Sequence, residues 1–241
     1  MNIRAFDLTD IRTALAEGWV VANQTRKTSS AYATLFTLIG AVILGLLLAN
    51  GLTPFIIAAA GAFMLIGPVI LAGFFGIARA HEAGQPVGIQ SIVAGFADAS
   101  SATWVISLVC ALLFMIFLTD AATLYSFMVG RTPVWISEFT STIPGVANFL
   151  IWGALSGLAI AFMLYCISVF SVPLLCERRT SLVKAVVSSV RAVFGNFVPA
   201  MAWAILLATL VIGSILLLPL LPITLPWLAH ASRALYKQIF P

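Results

Sequence analysis

Apolar side chains run almost unbroken through residues 31–49, 55–77, 102–124, 147–174, 197–217 and 218–235. A helix needs about 20 such residues to cross roughly 30 Å of hydrocarbon. Six runs of this kind leave little chain for anything else. The expected fold is therefore all-α, a polytopic membrane helix bundle of about six transmembrane helices. It is read as one membrane domain over 1–241, with an N-terminal amphipathic segment at 1–30, the bundle at 31–235 and a short tail at 236–241. Only 8% of the residues are charged, against about a quarter in soluble domains, too few to coat a water-facing surface. The start, Met1-Asn2-Ile3-Arg4-Ala5-Phe6-Asp7, followed by Asp10, Arg12 and Glu17, does not have the basic-then-apolar form of a cleavable signal. The run from Ala31 is expected to act as the insertion signal itself.

The basic residues give an orientation. Placed on alternate sides of six spans, eleven of the twelve Lys and Arg residues fall on one side and only Arg131 on the other. Basic residues accumulate on the cytoplasmic side, so both termini are expected in the cytoplasm. The net charge of +4 belongs to this pattern and does not imply nucleic acid; the lipid bilayer is the expected partner. Runs five and six are interrupted by Pro219, Pro222 and Pro226. An interior proline removes a helix hydrogen bond and clashes with the preceding turn, so a tight hairpin near 218–222 is expected, with a re-entrant pair as the alternative.

Between the runs lie shorter amphipathic stretches. Leu8, Ile11, Leu15, Trp19 and Ala22 share one arc of a helix that Asp7 can cap; Ile89, Ile92, Val93 and Phe96 recur at helical spacing opposite Ser91 and Asp98; Val183, Val186, Val187, Val190 and Phe194 do the same, with Thr180 or Ser181 as cap and Gly195-Asn196 as stop. Such helices lie among headgroups or pack under a bundle. The plan that results is amphipathic helix, span out, span back, three times over, with Pro68, Pro173 and Pro226 in the returning spans.

Candidate chemistry is sparse. His230 lies in the last run one turn before Arg233, and His81 follows the second run. Imidazole can hold haem iron or another metal, so these two are the cofactor candidates, set against an interhelical hydrogen bond as the plainer role; no cofactor or metal is assigned. Asp120, beside Thr119, is the one acid in an apolar run, and Asp120, His230 and Arg233 would be the polar path of a transporter. Glu177-Arg178-Arg179 fits a cytoplasmic span end or an attraction for anionic headgroups. Gly153 and Gly157 form a GxxxG helix-packing pair, Gly40 and Gly45 are further small positions, and Trp104, Trp152 and Trp203 are expected at the interface. Cys110, Cys166 and Cys176 read as buried apolar side chains. No Walker A loop, HExxH, nucleophile elbow or pair of intramembrane acids occurs.

Three places carry a resemblance: Gly67-Pro68 running into Arg79-Ala-His-Glu-Ala-Gly84-Gln-Pro86; Phe170-Ser171-Val172-Pro173-Leu-Leu followed by Ser181 to Arg191 and Asn196; and Pro226-Trp-Leu-Ala-His230-Ala-Ser-Arg-Ala-Leu-Tyr236. In this order the chain resembles a bacterial family of predicted integral membrane proteins of unknown function. The resemblance implies six spans in the inner membrane of a bacterium and no known reaction. The family pattern has Gly-His-Ala near its end and often a second histidine shortly after; here Ala229 replaces the glycine and Ala234 stands at the second position. The expected role is a non-catalytic accessory, assembly or scaffolding subunit of a larger membrane complex. A transporter or channel and a haem-binding membrane protein are the alternatives.

Overall fold

A computed structural model of the chain describes residues 3–56, 59, 67–130 and 145–241. The chain forms α1 (Leu8–Gln24), α2 (Arg26–Ala49), α3 (Gly67–Glu82), α4 (Ile89–Asp98), α5 (Ser101–Met128), α6 (Val146–Ser168), α7 (Ser171–Cys176), α8 (Leu182–Gly195), α9 (Phe197–Leu216) and α10 (Leu221–Ile239). Single 3₁₀ turns occur at Thr53–Phe55 and Leu218–Leu220. The expected segment around Arg131, Pro133, Trp135, Glu138 and Pro144 lies outside the described residues, as does much of the run at 55–77.

Local chemistry accounts for the helix ends. Asp7 accepts from the Thr9 and Asp10 amides at 2.8 and 3.0 Å, and the Asp10 carboxylate accepts from the Asp7 amide at 3.0 Å. This reciprocal box satisfies donors that the first turn leaves free. The break between α6 and α7 follows from Pro173, whose ring crowds the carbonyl four residues earlier. A side chain repairs it. The Ser189 hydroxyl accepts from the Phe170 amide at 3.2 Å and donates to the Cys166 carbonyl at 2.8 Å, inserting itself into the hydrogen bond those two groups would have made. The proline-rich stretch after α9 is a hairpin, its turn at Leu217–Leu220 leading directly into α10.

Among the described residues, four helices are long and apolar enough to cross a membrane: α2, α5, α6 continued through α7, and α9. The described part of α3 has 16 residues, and α10, with 19, carries Pro226, Arg233 and Lys237.

The helices follow the order of the threefold plan, and their packing is cyclic. Each amphipathic helix docks on the returning helix of the unit before it: α4 on α3, α8 on α6 and α7, and α1 on α10, which joins the first helix of the chain to the last. These contacts use small residues. A methyl group at Gly18 would lie 2.5 Å from the Ala231 nitrogen, and one at Gly95 2.3 Å from the Ala72 carbonyl oxygen, so backbone meets backbone at both crossings. On α8 the inward side carries Ala185, Ser189 and Ala192.

One expected facing is corrected: Ser91, read as the water-facing side of α4 opposite its apolar stripe, is turned inward. Ser91 is buried and sits against Gly76, while Ile89 and Val93 are exposed; on α8, Val183, Val187 and Phe194 are exposed. On α1 the buried side is Ile11, Ala14, Gly18 and Ala22, with Leu8 and Trp19 exposed. In a bilayer, apolar surface gains little from leaving lipid, so close packing of small residues selects the buried face. Trp203 is 1% exposed, in the main core, whereas Trp104 and Trp152 are about half exposed. All three cysteines are free and buried.

Candidate functional site

The returning helices α3, α7 and α10 end together, and their ends carry charge. Glu82 is the last residue of α3 and Glu177 caps α7. A carboxylate at a helix C-terminus opposes the helix dipole, so each requires a cation. Arg233, one of the buried residues of α10, supplies it to both. Its Nη1 and Nη2 donate to the Glu82 carboxylate at 2.6 and 3.1 Å, and its Nε donates to Glu177 at 3.1 Å. Lys237, one turn on, donates to both Glu82 oxygens at 2.8 and 3.0 Å. The Arg233 side chain is 7% exposed and Glu177 11%, against 48% for Glu82. Burial pushes the Glu82 carboxyl up, but the hydrogen bonds and charges of Arg233 and Lys237 outweigh it and hold the group down at about 2.

The neighbouring arginines are committed as well. Arg179 pairs with Glu177 at 3.6 Å, donates to the Phe240 carbonyl at 2.7 Å and lies over the Tyr236 ring. Arg178, with a positive φ of 52°, closes the α7 terminus and donates to the Asp98 and Ala97 carbonyls. Arg79 donates to the Cys176 carbonyl and pairs with Asp98. Both guanidinium groups are thus engaged within the chain.

His230 is 3% exposed, between α10, α2 and α3. Its Nε2 lies 3.4 Å from the Ser29 hydroxyl, which contacts the Thr25 hydroxyl at 2.8 Å, and its ring packs edge-on against Phe74. Its Nδ1 is buried and has no hydrogen-bond partner. A small cleft of about 70 Å³ opens beside it, lined by Glu17, Glu82, His230, Arg233 and Lys237 together with the apolar Val21, Ala78 and Ala234. His81 is engaged elsewhere, 2.8 Å from the Gln24 amide oxygen. Among the described residues no group of three His, Cys, Asp or Glu side chains is placed to hold a metal ion.

The other sequence candidates divide. Asp120 is on α5, which packs on α3, α6, α7 and α8, while α10 packs on α1, α2, α3 and α9. Asp120 therefore lies apart from His230 and Arg233; one of its oxygens is buried without a partner. Thr119 returns its hydroxyl to the Met115 carbonyl of its own helix. Gly157 is an internal contact, 3.0 Å from the Phe117 ring on α5 if given a methyl group, whereas at Gly153 only Phe149, one turn back on the same helix, comes within 4 Å. The sequence reading missed Glu82 altogether. The available signal was the charge at the end of every returning helix, Arg79 to Glu82, Glu177 to Arg179 and Arg233 to Lys237, which the threefold plan brings to one level.

These features define an all-α membrane protein whose helix ends are joined by an internal ion cluster. The model of a family described as predicted integral membrane protein (DUF2189) matches residues 55–177, half of the chain, and the protein belongs to that family. Comparison with curated proteins and with solved structures returned no match.

Proposed function

We propose that the protein is a non-catalytic accessory or scaffolding subunit of a larger bacterial membrane complex. In this reading α3, with the segment before it, and α10 complete six spans in the inner membrane, with both termini cytoplasmic. The observation that carries it is the outer side of α6. Ile151, Trp152, Leu155 and Leu158 are each more than half exposed there, and Ala154 stands exposed among them. Small residues let a second helix approach closely in lipid, and Ala154 and Ala161 are both exposed along this side. The internal charges are spent on tying helix ends together. Mild solubilisation is expected to yield a stoichiometric assembly. Ala154→Leu should release the chain from it as a folded monomer, whereas Gly157→Leu should damage the bundle. A wild-type monomer with no partner in mild detergent would defeat the reading.

A transporter is the second reading, favoured by the cleft beside His230 and its unpartnered Nδ1. Flux through liposomes that disappears in His230→Ala would promote it.

A further inference from the structure

Helix α8 faces two apolar media. Its small side, Ala185, Ser189 and Ala192, is buried against the bundle. Across the helix, Val183, Val187 and Phe194 are exposed, and Phe197 and Val198 continue that surface onto the apolar helix α9. In water this would leave large side chains uncovered on a helix that already has its packing partner. Beside this outward stripe, on one edge, stand Lys184 and Arg191. They are seven residues apart, two turns, so about 10 Å along the axis. Both are exposed, and among the described residues neither has an acidic partner or a hydrogen-bond acceptor, in contrast to Arg79, Arg178, Arg179 and Arg233 nearby in sequence or space.

We infer that α8 is a docking surface for anionic phospholipid, with the acyl chains against Val183, Val187 and Phe194 and the phosphate groups at Lys184 and Arg191. The continuity with α9 places the stripe in hydrocarbon, and the unpaired cations on its edge require a counter-charge where the hydrocarbon ends. α4 gives the contrast. It also turns Ile89 and Val93 outward but carries no Lys or Arg, so it lies against lipid without selecting its charge.

The test uses the full chain in detergent, titrated with phosphatidylglycerol or phosphatidylcholine and read by native mass spectrometry as lipid bound per protein. The wild type should bind phosphatidylglycerol more tightly. Each of Lys184→Gln and Arg191→Gln should weaken that binding about fivefold at low ionic strength, the factor for one basic residue at an anionic surface, and leave phosphatidylcholine binding unchanged. The charge-conserving exchange Lys184→Arg with Arg191→Lys should retain the preference, which separates charge from misfolding. Val187→Asn should weaken both lipids. Unchanged phosphatidylglycerol preference in the double Gln variant would overturn the assignment. So would equal displacement of the lipid by inorganic phosphate at matched concentration, since the site would then not need the apolar stripe.

Discussion

Arg233 and Glu177, on helices whose sequence positions are 56 residues apart, form an ion pair of 3.1 Å that is almost wholly buried. Breaking such a pair from one side leaves the other charge without compensation, at about 3–5 kcal/mol. Arg233→Met should therefore lower the thermal stability of the detergent-solubilised protein strongly, and Glu177→Gln nearly as much. Asp98→Asn removes the more exposed pair with Arg79 and should cost about 1 kcal/mol or less. Equal melting shifts for Arg233→Met and Asp98→Asn would show that the cluster does not hold the helix ends.

Glu82 gives the same cluster a pH signature. Its carboxyl is held down at about 2 from an ordinary 4.5, because Arg233 and Lys237 favour the charged form more than burial disfavours it. A depressed folded-state value means that the unfolded chain takes up the proton first. The stabilisation is complete above the unfolded value and is lost as pH falls from about 4.5 toward 2. The melting difference between wild type and Glu82→Gln should be constant above pH 5 and shrink steadily below it. A difference that grows on acidification would contradict the pairing.

Ser189 offers a test of how the α6–α7 break is held. Its hydroxyl serves one donor and one acceptor inside the core. Ser189→Ala leaves both groups unsatisfied, at about 1–3 kcal/mol for each buried group. Ser188, on the same helix but not among its buried residues, is the control, and Ser188→Ala should change the unfolding midpoint little.

Much of this architecture was legible because local rules operate near each element. Asp7 caps α1, Ser181 precedes α8, and the prolines after α9 turn the chain where an interior helix could not continue. The facing of Ser91 on α4 was misread for a physical reason. Hydrophobic periodicity finds the stripe that avoids water, and here that stripe meets lipid, while the opposite, small-residue side packs. The ion cluster was illegible residue by residue, since Glu82 and Arg233 lie 151 positions apart.

The corrected facing reverses an obvious mutational expectation. Ser91 is buried with its backbone oxygen against Gly76, whereas Ile92 is only half-buried. Ser91→Asp puts an unpaired carboxylate into a backbone-to-backbone crossing, a costly burial. It should lower membrane yield more than Ile92→Asp does. The opposite ranking would mean that α4 packs through its large apolar side.

Orientation is the remaining expectation that a single experiment can decide. The ion cluster joins the C-terminal ends of α3 and α7 to the last turns of α10, which puts those ends on one face. From the asymmetry of basic residues that face is expected to be the cytoplasmic one. Ser29 is a poor probe because it is fully buried; Lys27, Lys184 and Asn50 are exposed. In a background free of Cys110, Cys166 and Cys176, a cysteine replacing Lys27 or Lys184 should react with an impermeant thiol reagent only after the membrane is opened. One replacing Asn50, at the far end of α2, should react in intact cells. Labelling of Lys27→Cys from outside would invert the topology, and labelling of Lys27→Cys and Asn50→Cys from the same side would remove α2 as a span.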